Sequence, residues 1–335
     1  MKIAIVTDAW FPQTNGVVRT LSTTAQTLDR LDHEVLVVEP SGFRTFPCPT
    51  YPEIRLACRP RRQLDARLRA FEPAAIHIAT EGPLGHAARS WCGAHAMPFT
   101  TSYHTQFPEY LRARFPIGIG ISYAYLRRFH SAARRTLVAT ASLRERLKAR
   151  GFRNLTHWGR GVDLELFRPH SKNVWPHPRP IWVYFGRVAV EKNLEAFLSL
   201  RLPGTRVVIG DGPAREDLQR RFPDVVFTGY KHGEDLARHV AAADVCVFPS
   251  RTDTFGLVLL EAMACGTPVA AYPVTGPIDV VRPGITGMLD DDLRTACLSA
   301  LELDPAACRT WALEHTWEAA TRQFVSALAP RFAHG

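Results

Sequence analysis

The stretch VCVFPSRTDTFGLVLLEAMACGTPVAAY, residues 245–272, decides the fold class. Val245–Phe248 is a short β-branched and aromatic run, the mark of a buried strand. The loop SRTDTFG follows, and Thr252, Asp253 and Thr254 offer capping groups to a helix beginning at Gly256. That apolar helix stops at Gly266, whose permissive backbone ends helices, and Pro268–Tyr272 reads as a second strand. A strand, a crossover helix and a strand in so short a span make a parallel β-α-β unit. Glu261 is the only charge between Phe255 and Ala271. A buried carboxylate needs hydrogen-bond donors to offset its desolvation, and a ribose diol supplies two.

The same alternation runs outward in both directions. Strands are expected at Ile3–Thr7, Glu34–Glu39, Ala75–Ala79, Phe99–Tyr103 and Thr136–Ala139. A second series is expected at Ile181–Phe185, Arg206–Gly210, Val225–Thr228, Val245–Phe248 and Pro268–Tyr272. The pattern predicts two similar Rossmann-like α/β domains, each a doubly wound parallel sheet, facing each other across a cleft at the carboxyl ends of their strands. Between the series, RPHSKNVWPHPRP carries Pro169, Pro176, Pro178 and Pro180, which favour an extended link and place the boundary near residue 172.

Bulk properties narrow the function classes. A chain of 335 residues is long enough for two cores, and its net charge of +9 is unevenly placed. Residues 1–168 hold 24 Lys and Arg against 13 Asp and Glu, a net +11, which leaves 17 against 19, a net −2, for residues 169–335. A basic first half suits an anionic membrane surface or an acidic ligand. It lacks zinc-finger spacing, an RNP-type aromatic motif and a basic region with heptads, so no nucleic-acid partner is expected. No apolar stretch is long enough to cross a bilayer, and MKIAIVTDAWFP reads as a first strand rather than a signal peptide. Seven scattered cysteines without C-x-x-C spacing fit a reducing cytoplasm and no metal site.

Candidate ligand-binding residues cluster at the expected strand ends. Asn15-Gly16 forms a turn at a helix start, where free N–H groups can meet an anion, but it is not the G-x-G-x-x-G dinucleotide fingerprint. Arg187 and Lys192 follow Ile181–Phe185 and together suit a diphosphate. The turn Gly210–Pro213 lets backbone approach a ligand, and Gly229 and Tyr230 can lie against a flat base. The N–H groups near Phe255, Gly256 and Leu257 suit a sugar hydroxyl or phosphate oxygen. Glu81 and His104 end two strands of the first half, on the acceptor side. Asp290–Asp292 reads as helix capping rather than a metal site. Taken singly, the Gly16 turn, Arg187, Lys192 and His104 read more readily as structural turns, surface charges and a structural histidine, and Glu261 also reads as a carboxylate bonded to a neighbouring Arg or to backbone.

Together, in chain order, NGV (15–17), SYHT (102–105), RGVD (160–163), GRVAVEKN (186–193), GDGP (210–213), FTGY (227–230) and SRTDTFGLVLLEAMACGTPV (250–269) resemble the retaining nucleotide-sugar glycosyltransferases of family 4, which have the GT-B fold. The resemblance implies an acceptor-binding domain over 1–171, a nucleotide-sugar donor-binding domain over 172–315, a terminal helix within 316–335 crossing back to the first, and hinged closure about residue 172. It implies that Arg187 and Lys192 hold the pyrophosphate, helped by the Gly16 turn and the helix start near Leu257. Glu261 would bind the ribose, Asp253 and the backbone of Thr254, Phe255 and Gly256 would orient the hexose, and His104 would sit near its reacting face. The family's usual Glu, seven residues, Glu is here Asp253 and Glu261, one methylene shorter at the first.

In such enzymes the leaving phosphate takes the acceptor proton, so the resemblance implies no protein nucleophile, no metal and no cofactor beyond the co-substrate. The implied donor is GDP-mannose or a UDP-sugar, and the implied acceptor a membrane lipid or lipid-linked glycan. EYLRARFPIGIGISYAYLRRFHSAARR, with Arg112, Arg114, Arg127, Arg128, Arg134 and Arg135, reads either as a surface that docks on anionic lipid at the inner face of the cytoplasmic membrane or as a core helix with a solvated basic edge. A nucleotide-sugar 2-epimerase or hydrolase of the same fold, and a non-catalytic sugar-nucleotide binder, remain open alternatives.

Overall fold

A computed structural model describes residues 1–13, 15–48, 51–104, 108–109 and 118–331. It divides into two compact units, Met1–Gly159 with Trp317–Gly335, and Arg160–Thr316.

The first unit contains β1 (Lys2–Val6), β2 (Glu34–Val38), β3 (Thr45–Cys48), β4 (Tyr51–Ala57), β5 (Ala75–Ile78), β6 (Phe99–Tyr103), β7 (Arg135–Val138) and β8 (Leu155–His157). Six of them form one sheet in the order β2-β1-β5-β6-β7-β8. Every pairing is parallel, with Ile3 opposite both Val35 and Ala75, and Thr136 opposite both Thr101 and Leu155. Successive side chains on a strand point to opposite faces. Ala4 and Val6 therefore pack with Leu64, Leu68, Leu84 and Ala88 on one side, while Ile3 and Ile5 pack with Leu21, Leu28, Trp158 and Phe324 on the other. Burying each Ile or Leu contributes roughly 1.5–3 kcal/mol, so both faces need helices.

The polar run Thr100–Ser102 in the middle of this sheet is satisfied internally. His77, fully buried on β5, bonds Thr100 Oγ1 at 2.8 Å and Ser102 Oγ at 2.6 Å. Thr101 Oγ1 meets Thr136 Oγ1 at 3.0 Å and His130 Nδ1 at 2.9 Å.

The second unit contains β9 (Ile181–Phe185), β10 (Thr205–Ile209), β11 (Val226–Gly229), β12 (Val245–Phe248), β13 (Val269–Ala271) and β14 (Gly287–Leu289), ordered β11-β10-β9-β12-β13-β14 and all parallel. Trp182, Tyr184, Leu194, Phe197, Val208, Val247 and Leu293 lie in its core. In each sheet the strand order reverses beside the first strand, between β1 and β5 and between β9 and β12. Open α/β sheets bind ligands at that reversal, outside the carboxyl ends of the strands.

All ten expected strands form, with ends displaced by no more than one residue. The antiparallel β3–β4 hairpin was not expected, because its prolines read as loop, and Pro47 is tolerated only because the ribbon has two strands. The edge strands β8 and β14 are too short to leave a pattern. Asp292 caps the helix Leu293–Ala300, accepting from the Arg294 N–H at 3.0 Å, as expected.

The chain leaves the first unit after Gly159 rather than near residue 172. Residues 160–171 are fastened to the second unit: Val162 bridges Thr316, and the Arg309 guanidinium donates to Phe167 O and Leu164 O. The proline-rich link is held there too, by Lys172 Nζ on Ala243 O, Trp175 Nε1 on His239 O and Arg179 Nη2 on Ala242 O. Residue 172 therefore lies within the second unit. The helix Trp317–Ala327 belongs to the first unit, where Trp158 Nε1 donates to Ala320 O. No helix among the described residues is long and apolar enough to cross a membrane.

Candidate functional site

At the carboxyl edge of the second sheet, three loops are joined through their backbones. The Gly186 N–H donates to Ile209 O, the Val188 N–H to Asp211 O, and the Gly210 N–H to Gly229 O, all at 2.8–2.9 Å. A Cβ at Gly210 would stand 1.9 Å from Gly186 O, so only glycine allows this approach. The expected segments GRVAVEKN, GDGP and FTGY thus form one surface. Half-buried Arg187 lies on it, its carbonyl accepting from the buried Tyr184 hydroxyl at 2.7 Å. Tyr230, 47% exposed, donates its hydroxyl to Asp211 O at 3.0 Å, which holds the ring at the rim beside Gly229. The Gly212 N–H and the Arg215 guanidinium hold the Asp211 carboxyl below the usual range.

Across the strand reversal, Lys192 follows β9 and Asp253 follows β12. Lys192 Nζ lies 2.5 Å from Asp253 Oδ2, with both side chains about one-fifth exposed, at 23% and 19%. Burial opposes the ammonium charge, but Asp253 and Tyr184 outweigh it and hold the Lys192 pKa above its ordinary value. The Lys192 loop is fixed by Asn193, in the left-handed region at φ 53°, whose Nδ2 donates to Pro249 O at 3.0 Å. A cation and a carboxylate therefore meet at the reversal point, presented by two different strand ends.

The helix expected after this loop spans Leu257–Ala264. Its N-cap is Gly256 at φ 83°, a residue with no side chain of its own to cap it. Of the residues expected to offer capping groups, Asp253 pairs with Lys192 and Thr252 Oγ1 reaches Glu191 O. The first N–H groups of a helix carry partial positive charge, so a start whose cap residue is a glycine suits an anion or hydroxyl. Gly276, at φ 98°, lies against this loop, and a Cβ there would sit 3.2 Å from Phe255 O. Glu261 is 4% exposed inside the same helix. Burial, then the Glu261 charge, push the Cys265 thiol up to about 12.

The first unit presents a second group of residues at its own carboxyl edge. Gly16 opens the helix Gly16–Arg30, but Asn15 Oδ1 accepts from the Val17 and Val18 N–H groups, each at 3.0 Å. Two of the N–H groups at this helix start are thus taken by its own cap, and that of Gly16, the residue expected to face an anion, is not one of the two. Glu81, after β5, meets His130 Nε2 at 3.0 Å, and His130 is fully buried. His104, directly after β6, sits edge-on to Trp158 with ring centroids 5.9 Å apart.

Sequence reasoning missed Asp8. It follows β1 at the reversal point, is 5% exposed, and accepts from the Leu84 N–H at 3.0 Å, the Gly85 N–H at 3.3 Å and Thr80 Oγ1 at 2.9 Å. It thereby caps the helix Pro83–Ala94, the neighbour of the Glu81 turn. Its position one residue past a strand end was the available signal. Burial raises its pKa against the pull of those donors.

Comparisons with known proteins agree along both halves. Residues 14–166 match the family described as Glycosyltransferase Family 4, and residues 179–302 match Glycosyl transferases group 1. The GDP-mannose-dependent alpha-mannosyltransferase of Mycobacterium tuberculosis is 32% identical over 316 residues, covering 86% of this chain and 83% of that protein. Sulfoquinovosyl transferase SQD2 of Arabidopsis thaliana is 35% identical over 268 residues, 74% of this chain and 52% of that protein. Among solved structures, the sucrose-phosphate synthase of Thermosynechococcus elongatus aligns with a TM-score of 0.74 over 97% of each chain, at 22% identity.

Proposed function

Because the chain belongs to glycosyltransferase family 4, with the GT-B fold, we propose that it is a retaining hexosyltransferase that moves mannose from GDP-mannose to a hydroxyl of a lipid or lipid-linked glycan. That it is a glycosyltransferase follows from its relatives. The donor and acceptor are our reading, supported by mannosyltransferases that span most of its length.

The observation that carries the reading is the Lys192–Asp253 pair at the reversal of the second sheet. In it, Lys192 and Arg187 neutralise the diphosphate, the start of the Leu257 helix receives a phosphate or hexose oxygen, and Glu261 takes the ribose. Asp253 orients the hexose through the backbone turn Thr254–Gly256. As the anomeric C–O bond to the diphosphate breaks, the acceptor oxygen bonds to the same face, and its proton passes to the departing phosphate oxygen. Positioning and charge neutralisation then supply the rate, with the two cations in the place a metal would fill. Glu81 and His104 remain assigned to the acceptor side, and the Gly16 turn to the diphosphate.

A thermal-shift panel of GDP, UDP and ADP tests the donor, since a bound nucleotide stabilises by mass action. GDP is expected to shift unfolding most. A UDP-only shift would move the reading toward the sulfoquinovosyl type of donor, and interconverted sugars without an acceptor would mean an epimerase.

A further inference from the structure

The basic stretch identified from sequence is a core helix over the residues described. In the helix Ile119–His130, Tyr123, Leu126 and Phe129 are buried, and Arg127 and Arg128 form a solvated edge. Arg112 and Arg114 lie outside the described residues. Arg135 Nη1 is engaged by the carbonyls of Ser326, Ala327 and Leu328, ending the terminal helix. What remains is a discrete feature. Arg127, Arg128 and Arg153 line a groove of about 600 Å³ with Ser131 and Gly151.

The groove has three informative properties. Among the described residues no carboxylate lines it, and none of the three guanidiniums forms an ion pair with one of them. Arg127 is held in place by donating Nη1 to Arg150 O at 2.9 Å. It lies against Gly151 at φ 84°, where a Cβ would sit 3.4 Å from Nη1. Third, Ser131 leads into β7 and Gly151 to Asn154 lead into β8, so the groove is at the amino ends of these parallel strands. Glu81 and His104 stand at the carboxyl ends of the same sheet. The groove is therefore separate from the acceptor-side residues, and the donor reading has no part in it.

We propose that this groove is a binding site for a phosphate group. Like charges converging without a counter-charge repel one another, and a ligand that removes the repulsion is favoured. A planar carboxylate satisfies one guanidinium fork, whereas the oxygens of a phosphate or diphosphate can accept from three directions. The volume suits a ligand of metabolite or lipid-headgroup size.

The probe is inorganic pyrophosphate added to the full chain, read by hydrogen-exchange mass spectrometry, which localises binding. Pyrophosphate is expected to slow exchange in the segments 127–131 and 151–154. The double variant Arg128→Gln, Arg153→Gln is expected to weaken that effect by at least about tenfold. Both side chains are exposed, and unchanged thermal unfolding shows that the variant is folded. Co-sedimentation with vesicles of phosphatidylcholine alone, and of equal parts phosphatidylcholine and phosphatidylglycerol, identifies the source. Binding only to the anionic vesicles, lost in the double variant, means a lipid headgroup. Pyrophosphate protection without vesicle binding means a soluble phosphate ligand. Unchanged exchange at saturating pyrophosphate, with anionic-vesicle binding absent or equal in both proteins, overturns the proposal.

Discussion

Lys192 Nζ and Asp253 Oδ2 are 2.5 Å apart at the reversal point of the second sheet, so the expected diphosphate cation and the residue that departs from the family's glutamate are a single unit. A diphosphate must share Lys192 with Asp253 or take it away. Lys192→Ala is expected to weaken GDP binding by about tenfold or more, the worth of one charge-assisted hydrogen bond. Asp253→Asn is expected to leave GDP affinity equal or tighter while turnover falls. Calorimetry with initial rates separates the two, and equal loss of affinity in both variants would make the pair merely structural.

Glu261→Gln keeps the shape of a side chain that is 4% exposed and removes its charge. Nucleoside diphosphate affinity is expected to fall by about tenfold, because hydrogen bonds to a charged acceptor are the stronger kind. Pyrophosphate, which has no ribose, is expected to bind both proteins alike. A loss for both ligands would move Glu261 from the ribose to the scaffold.

Asp8 makes stability depend on pH in a direction opposite to most carboxylates. Its pKa is raised above 3.8, chiefly by burial, so the protonated form is favoured in the folded state. Its contribution is fully present below 3.8 and is lost as pH rises through the folded value. Relative to Asp8→Asn, the parent protein is expected to lose stability as pH rises from the acidic range to neutral. Urea denaturation along a pH series checks this, and a constant difference would contradict it.

Arg309 fastens the second unit with one guanidinium. It donates to Phe167 O at 2.7 Å, Ala264 O at 2.9 Å and Leu164 O at 3.1 Å, closing the last turn of the Leu257 helix onto the entering chain. Arg309→Leu is expected to cost about 2 kcal/mol or more in denaturant unfolding. Arg309→Lys should recover only part, since an ammonium lacks the planar fork.

The strands were legible because each is a short apolar run between polar turns, and β9 and β12 matched to the residue. The β3–β4 ribbon was not, since Pro47 and its neighbours carry loop composition. Within the site, Lys192 and Asp253 were each placed at a strand end, but their pairing spans 61 residues and depends on strand order, which periodicity does not encode. Asp253 was read as a helix cap because caps are a local preference, and its pairing with a cation from another strand end left no local mark. Asn15 was legible only as part of a turn, and in the structure it also caps the helix, accepting from the Val17 and Val18 N–H groups. Asp8 and His130 went unnoticed because each acts through a partner far along the chain, Asp8 through Leu84 and His130 through Glu81.

The return of the helix Trp317–Ala327 to the first unit has a consequence for biosynthesis. His77, fully buried, is edge-on to both Trp158 and Phe324, with centroids 5.9 and 4.9 Å apart. During translation the ribosome makes all of residues 160–316 before Phe324 exists. Domains fold as units while the chain emerges. The packing of Phe324 on His77 and Trp158 therefore forms only once the whole of the second unit has been synthesised, so the first unit's core is completed after the second unit's sequence and not before it.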